Sequence, residues 1–98
     1  MSQFMAQITL PDFLDENFMA LIPEHRTYVD QLMNDGIITS YSLALDRSTV
    51  WITFNSKNEK AVTKIIHSFP ISDYIEFDIL ELAFHNSATV FFPSLSLN

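Results

Sequence analysis

The fold of this chain is decided by residues 36–54, which read GIITSYSLALDRSTVWITF. Two runs rich in β-branched and aromatic residues, 37–45 and 49–54, flank the short polar segment 46–48. This spacing predicts a β-hairpin. Gly36 stands directly before it and is the only glycine of the chain. Glycine adopts the left-handed conformation that commonly ends a helix, so a helix is predicted to end here.

A strand and a long helix are predicted before the hairpin. Ser2–Leu10 alternates apolar and polar side chains, as a half-buried strand does, and Pro11 ends it. Asp12 is then predicted to cap the helix. The apolar side chains of this helix follow a 3.6-residue period: Leu14, Phe18, Leu21, Val29 and Leu32. Because this stripe keeps its phase beyond Pro23, we expect one kinked helix, with a break and restart near Ile22 as the alternative.

A second helix and a last strand are predicted after the hairpin. Ser56 and Glu59 have the spacing of a capping box, and Pro70 closes the helix. Its apolar stripe consists of Val62, Ile65, Ile66 and Phe69. Residues 74–85 are predicted to form one long strand. The order β-α-β-β-α-β predicts an α+β, ferredoxin-like domain over residues 1–85, in which both helices cover one face of an antiparallel sheet.

The other face of the sheet has mixed polarity. It is predicted to present Met5, Trp51 and Tyr74 among polar side chains. Such a face suits a homodimer in which two sheets enclose a barrel, and a solvated sheet is the alternative. The uncharged tail, residues 86–98, is predicted to pack on its own domain or on a partner subunit. An assembly larger than a dimer is left open.

Composition excludes several functional classes. The chain has 98 residues, no cysteine, 5 Lys+Arg and 12 Asp+Glu, and a formal net charge of −7. So few cations, spread along the chain, argue against nucleic-acid binding. There is no apolar run of about 20 residues and no visible secretory signal, so we expect no membrane span and a cytoplasmic location. Neither a glycine-rich phosphate loop nor a metal-binding motif is present, so no cofactor and no metal are expected.

Five residues are candidates for a ligand or active site. His25 falls on the apolar stripe of the first helix and would be a buried general base or, alternatively, a core residue. Tyr41 could donate a hydrogen bond or proton to a carbonyl, or merely pack. Arg26 and Arg47 are the only arginines; they would bind a substrate carboxylate or lie paired on the surface. Trp51 would line the ligand pocket or the dimer face.

Several spacings make the chain resemble the muconolactone delta-isomerase family of dimeric α+β barrels. The elements that carry the resemblance are Tyr28 eight residues before Gly36, Arg47 eleven residues after it, the segment Ser68-Phe69-Pro70-Ile71 followed by Tyr74, and the segment Leu82-Ala83-Phe84-His85. The resemblance covers about residues 28–87 without obvious gaps. It implies the ferredoxin-like fold of that family and assembly as a homodimer.

The resemblance also implies a function. It suggests a cofactor-independent isomerase that moves a proton on an unsaturated lactone, with His85 as a catalytic residue and Tyr74 as a substrate-binding residue. The chain departs from the family where Phe84 replaces an expected arginine and where the second strand lacks basic residues. We therefore expect a less charged small molecule, an unsaturated lactone or cyclic ketone. The alternative is a non-catalytic dimeric module that binds a small ligand or only builds an assembly.

Overall fold

Four strands and two α-helices follow one another in the predicted order in the computed structural model, which describes residues 1–86 and 88. The elements are β1 (Ser2–Thr9), α1 (Glu16–Asn34), β2 (Ile38–Leu43), β3 (Thr49–Ser56), α2 (Glu59–His67), a 3₁₀ turn (Ser72–Tyr74) and β4 (Glu76–Glu81). The predicted α+β, ferredoxin-like fold is confirmed.

The four strands form one antiparallel sheet in the order β2-β3-β1-β4. Because side chains alternate along a strand, one face of the two central strands is buried beneath the helices. On this inner face β1 places Phe4, Ala6 and Ile8, and β3 places Val50, Ile52 and Phe54. Side chains of both helices join them in one apolar core. The sheet therefore presents its other face, which we call the outer face, away from both helices.

The first helix begins three residues later than the sequence pattern predicts. Asp15, rather than Asp12, is the N-cap, and its Oδ1 accepts a hydrogen bond from the Phe18 N–H at 2.9 Å. The prediction of Asp12 was wrong because Asp15 stands three residues before the first buried side chain of the stripe, where a carboxylate reaches an unpaired N–H. Pro23 lies inside the helix, which continues through it as a single element.

Gly36 ends α1 as predicted. Its φ is +75°, its N–H donates to the Met33 carbonyl at 3.0 Å, and the Ile37 N–H donates to the Leu32 carbonyl at 2.9 Å. These two bonds satisfy carbonyls of the last turn in the Schellman arrangement. The chain then turns directly into β2.

The start of the second helix also differs from the prediction. Ser56 is the last residue of β3, and Asn58 is the N-cap. The Asn58 Oδ1 accepts a hydrogen bond from the Ala61 N–H at 2.9 Å. The predicted capping box of Ser56 and Glu59 was wrong because the strand pairing of β3 extends through Ser56.

The last strand is shorter than the predicted 74–85. Hydrogen bonds from the Ser72 N–H to the Phe69 carbonyl and from the Tyr74 N–H to the Ile71 carbonyl, both 2.9 Å, form a turn instead. The ring of Tyr74 packs edge-on against Phe18 of α1, with ring centroids 5.5 Å apart. Its predicted place on the outer face was therefore wrong. Most of the predicted tail, 86–98, lies outside the described residues, so its packing stays a prediction.

Replacing Gly36 by alanine is expected to lower the free energy of unfolding by about 1–2 kcal/mol, because an L side chain disfavours this left-handed backbone. A Cβ at this position would meet nothing within 4 Å, so packing does not contribute. Gly36→Asn, the matched control, is expected to lose less, since asparagine tolerates positive φ. Urea denaturation measures both variants. A Gly36→Ala variant as stable as the parent would contradict this account of the helix end.

Candidate active site

A cavity of about 540 Å³ lies between α1 and the inner face of the sheet, toward the end where β1 finishes and the β2–β3 hairpin turns. Most of its lining is apolar, including side chains such as Leu14, Phe18 and Ile22. The charged and polar side chains that reach it are His25, Arg26, Asp30, Tyr41 and Arg47. An apolar cavity with a few polar groups is the usual form of a small-molecule site.

His25 and Tyr41 meet across the interface between α1 and β2. The His25 Nε2 lies 3.0 Å from the Tyr41 Oη, within hydrogen-bond distance. His25 is only 3% exposed, as its place on the apolar stripe predicts. The ring of Phe69 packs edge-on against the imidazole, with centroids 5.0 Å apart. The imidazole is thus held between an apolar ring and one polar partner.

A β-bulge in β2 brings Tyr41 to this position. Ile38 pairs with Phe54, whereas Ser40 pairs with Thr53 and Tyr41 with Ile52, so the register shifts between Ile38 and Ser40. In a regular strand, Ile38 and Tyr41 would point to opposite faces because they are three positions apart, an odd number. One extra residue in the strand turns both toward the helices. The tyrosine hydroxyl therefore reaches the buried histidine.

Burial keeps His25 neutral. It lowers the pKa of the imidazole from 6.5 to about 4 because the charged form loses its hydration. The Nδ1 atom is buried and has no hydrogen-bond partner among the described residues. A neutral imidazole carries one donor and one acceptor nitrogen, so Nε2 either donates to the Tyr41 oxygen or accepts from its hydroxyl. Burial also raises the pKa of Tyr41, an effect that the positive charge of Arg26 opposes.

The two arginines reach the same cavity from different elements. Arg26 follows His25 on α1, and Arg47 lies in the hairpin turn. The φ of Arg47 is +66°, and its Nη1 donates to the Leu45 carbonyl at 3.0 Å. The turn is held further by the Asp46 carboxylate, which accepts a hydrogen bond from the Ser48 N–H at 2.9 Å. Hydrogen bonding with the Ser48 side chain, and next with its backbone N–H, lowers the pKa of Asp46.

The other three predicted site residues do not line the cavity. Trp51 lies on the outer face, 38% exposed, with its Nε1 3.4 Å from the Gln7 Oε1. Tyr74 packs on Phe18, behind the cavity wall. His85 follows β4, whose end pairs with the start of β1, far along the sheet from the cavity. The predicted roles of these three residues stay predictions. The structure brings the other four predicted site residues together at the cavity: His25, Tyr41, Arg26 and Arg47.

Sequence reasoning did not single out Asp30, Met19 or Met33, which also line the cavity. These residues share a second stripe of α1, next to the one that carries His25. Its members recur at intervals of three or four: Met19, Ile22, Arg26, Asp30 and Met33. The sequence signal for this stripe is the helical spacing of residues on either side of Arg26. Because the stripe mixes apolar and charged residues, a search for apolar periodicity alone does not find it.

Metal ligation and membrane spanning concern residues 1–86 and 88, which the structure describes. This part of the chain contains no group of three or more His, Cys, Asp or Glu side chains placed to hold a metal ion. None of its helices combines the length and the apolar character needed to cross a bilayer.

Comparison with known proteins supports the fold. No family model matches the chain, and no curated protein matches its sequence. Among solved structures, a crystal structure of muconolactone isomerase matches with a TM-score of 0.70 over 92% of this chain and 97% of that chain. This chain has a muconolactone isomerase-like fold. The two sequences are 16% identical, so the likeness shows the fold and leaves activity to be argued from the site.

The neutral state of His25 predicts an acid-sensitive fold. Between pH 6.5 and about 4 the unfolded chain protonates this histidine while the folded chain does not. The contribution of the neutral His25 to the free energy of unfolding is fully present above pH 6.5. It is lost as the pH falls toward 4, by at most about 1.4 kcal/mol for each pH unit. Urea denaturation from about pH 7 to about pH 4.5 measures this slope.

The control compares two glutamine variants. His25→Gln is expected to flatten the slope relative to the parent, whereas His67→Gln, at an exposed position of α2, is expected to retain it. Identical slopes in the parent and in His25→Gln would contradict the neutral, buried histidine.

Proposed function

We propose that this chain is a cofactor-independent, isomerase-like enzyme that moves a proton on a small unsaturated lactone or cyclic ketone. The observation that carries the proposal is the pair of His25 and Tyr41, 3.0 Å apart at the wall of an apolar cavity. The name of the structurally similar protein, muconolactone isomerase, agrees with this class of reaction. The fold alone would not assign it.

Proton transfer next to a carbonyl requires a base, a proton donor and a group that stabilises the enolate oxygen. His25 is neutral at pH 7, so one nitrogen of the imidazole carries a lone pair that can take up a proton. Tyr41 keeps its hydroxyl proton because burial raises its pKa, so it donates a hydrogen bond to the carbonyl oxygen. The two side chains thus supply complementary functions from one hydrogen-bonded pair.

The proposed cycle conserves protons. The pair removes a proton from the carbon beside the carbonyl, which leaves a dienolate in the cavity and the proton on His25. The negative dienolate offsets the penalty that burial places on the charged imidazolium. His25 then returns the proton to the far carbon of the dienolate, while Tyr41 remains hydrogen-bonded to the dienolate oxygen. The double bond has moved, and the pair has returned to its starting state without a cofactor.

Solvent exchange tests this proposal. In D₂O the parent is expected to incorporate deuterium into a β,γ-unsaturated five-membered lactone or into 3-cyclohexenone faster than buffer alone, as followed by proton NMR. His25→Gln is expected to lose at least about 100-fold in rate, because general base catalysis contributes about 10²–10⁴-fold. Tyr41→Phe is expected to be slower than the parent as well.

His67→Gln serves as the matched control and is expected to exchange at the parental rate, with circular dichroism verifying that each variant is folded. An unchanged rate in His25→Gln, or no exchange above buffer with either ring, would overturn the catalytic proposal. Binding of the rings without exchange would favour the alternative of a non-catalytic ligand-binding module.

We further propose that the chain forms a homodimer through its outer face. Leu80 lies directly opposite Met5 on this face and is 70% exposed, and Trp51 lies opposite Gln7. A second sheet packed against this face would cover these apolar side chains, while the polar ones would retain trapped water. A cytoplasmic location also stays a prediction from the sequence.

Light scattering tests the dimer. The parent is expected to have about twice the 11.3 kDa chain mass at micromolar concentration. Leu80→Asp is expected to shift the protein to the monomer, because it places an unpaired charge within the proposed interface. Leu45→Asp, in the hairpin and 93% exposed, is the control and is expected to remain dimeric. A monomeric parent would contradict the dimer.

A further inference from the structure

One aromatic side chain touches His25 without reaching the cavity. The ring of Phe69 lies nearly perpendicular to the imidazole, at an interplanar angle of 80° and with ring centroids 5.0 Å apart. His25 and Tyr41 line the cavity, whereas Phe69 does not. The imidazole therefore meets the cavity with one part of its surface and Phe69 with another. A ligand in the cavity would not touch Phe69, so any effect of this ring on the ligand passes through His25.

Backbone hydrogen bonds and a second aromatic ring hold Phe69 in place. Its N–H donates to the Ile66 carbonyl at 3.0 Å, and its carbonyl accepts from the Ser72 N–H at 2.9 Å. Its ring also packs on Tyr28, one helical turn beyond His25, with centroids 5.8 Å apart and an interplanar angle of 80°. Aromatic pairs in this geometry attract each other beyond the gain from burial. Phe69 thus links the end of α2 to two rings of α1.

Phe69 lies where solvent is close to the core. It is 2% exposed, but Ser68 before it is exposed and Pro70 after it is half-buried. The phenyl ring therefore separates solvent from the His25 imidazole, whose Nδ1 is buried and has no hydrogen-bond partner among the described residues. A buried polar atom binds water where the structure leaves room for it. Removal of the phenyl ring would provide that room.

Burial, rather than a neighbouring charge, is the cause of the low pKa of His25. The other titratable groups that line the cavity with this histidine are Arg26 and Asp30 on α1, Tyr41 on β2 and Arg47 in the hairpin. Phe69 carries no charge. Its replacement would therefore alter the hydration of the imidazole while leaving these titratable groups unchanged.

We propose that Phe69 is a positioning residue for the proton transfer: its ring holds the His25 imidazole against Tyr41 and keeps water from the buried nitrogen. This inference rests on the proposed function, in which His25 is the base. A fixed imidazole keeps its Nε2 within 3.0 Å of the Tyr41 Oη, and a misplacement of about 1 Å can cost about 100-fold in rate. A dry imidazole stays neutral in mildly acidic solution, so the base remains available there.

Nitrogen-15 NMR of the His25 side chain tests the role of Phe69 without requiring turnover. Phe69→Leu is expected to raise the pKa of His25 from about 4 toward 6.5, because the smaller side chain admits water to the imidazole. Phe69→Ala is expected to raise it further, and Phe69→Leu decides the test should the alanine variant not fold.

The matched control is Phe4→Leu. Phe4 lies on β1 and is also 2% exposed, so its replacement lowers stability in a similar way. The pKa of His25 is expected to stay near 4 in this variant. An unchanged pKa of His25 in Phe69→Leu, or an equal rise in Phe4→Leu, would overturn the proposal.

The pH profile of deuterium exchange measures the consequence for proton transfer. From about pH 8 to about pH 5, the parent is expected to exchange 3-cyclohexenone at a nearly constant rate above buffer, because His25 stays neutral. Over the same range, the rate of Phe69→Leu is expected to fall at least about tenfold, because a protonated histidine cannot act as a base. Phe4→Leu is expected to follow the parent, with circular dichroism verifying that each variant is folded.

The outcomes separate this inference from the proposed function. A raised pKa of His25 in Phe69→Leu, in a protein whose parent fails to exchange deuterium, would support the dry imidazole and overturn the isomerase. Exchange that depends on His25, with the same pH profile in Phe69→Leu as in the parent, would support the isomerase and overturn the role of Phe69.

Discussion

The hydrogen bond between His25 and Tyr41 is the polar contact on which the candidate site depends. It joins α1 to β2 inside an otherwise apolar layer, where an unpaired polar group is costly. Because β2 is an edge strand, this contact fixes the helix over the side of the sheet where the cavity lies. The proton transfer that we propose for this pair and its structural role therefore have the same origin. Among the described residues, Nδ1 has no hydrogen-bond partner, so this part of the fold satisfies only one nitrogen of the histidine.

Much of the architecture was predictable because it follows local rules. The hairpin, the inner face of β1 and the helix end at Gly36 each require only a short window of sequence, and His25 was predictable as a buried residue from helical spacing. The pairing of His25 with Tyr41 was not, because the bulge that turns Tyr41 inward depends on strand register rather than on composition. The prediction of the N-cap of α1 was wrong for a related reason. Asp12 and Asp15 are both good caps, and packing of the apolar stripe selected Asp15.

The sheet divides the functions of the molecule between its two faces. The inner face supports the core and the cavity, and the outer face carries the apolar side chains that we assign to the homodimer. The hairpin turn holds Arg47 in a conformation that glycine would adopt more easily. At His25, burial keeps the imidazole neutral and makes the fold sensitive to acid. Strain and buried polarity of this kind are typical of functional sites.

The central claim is that a neutral imidazole is held against Tyr41 at the cavity wall. Nitrogen-15 NMR of the His25 side chain, recorded as a function of pH, tests it most directly because the shifts report both charge and tautomer. The account predicts a neutral ring in one tautomer at pH 7 that becomes protonated only near pH 4. A ring that titrates near 6.5, or that exchanges between tautomers as a free imidazole does, would contradict it.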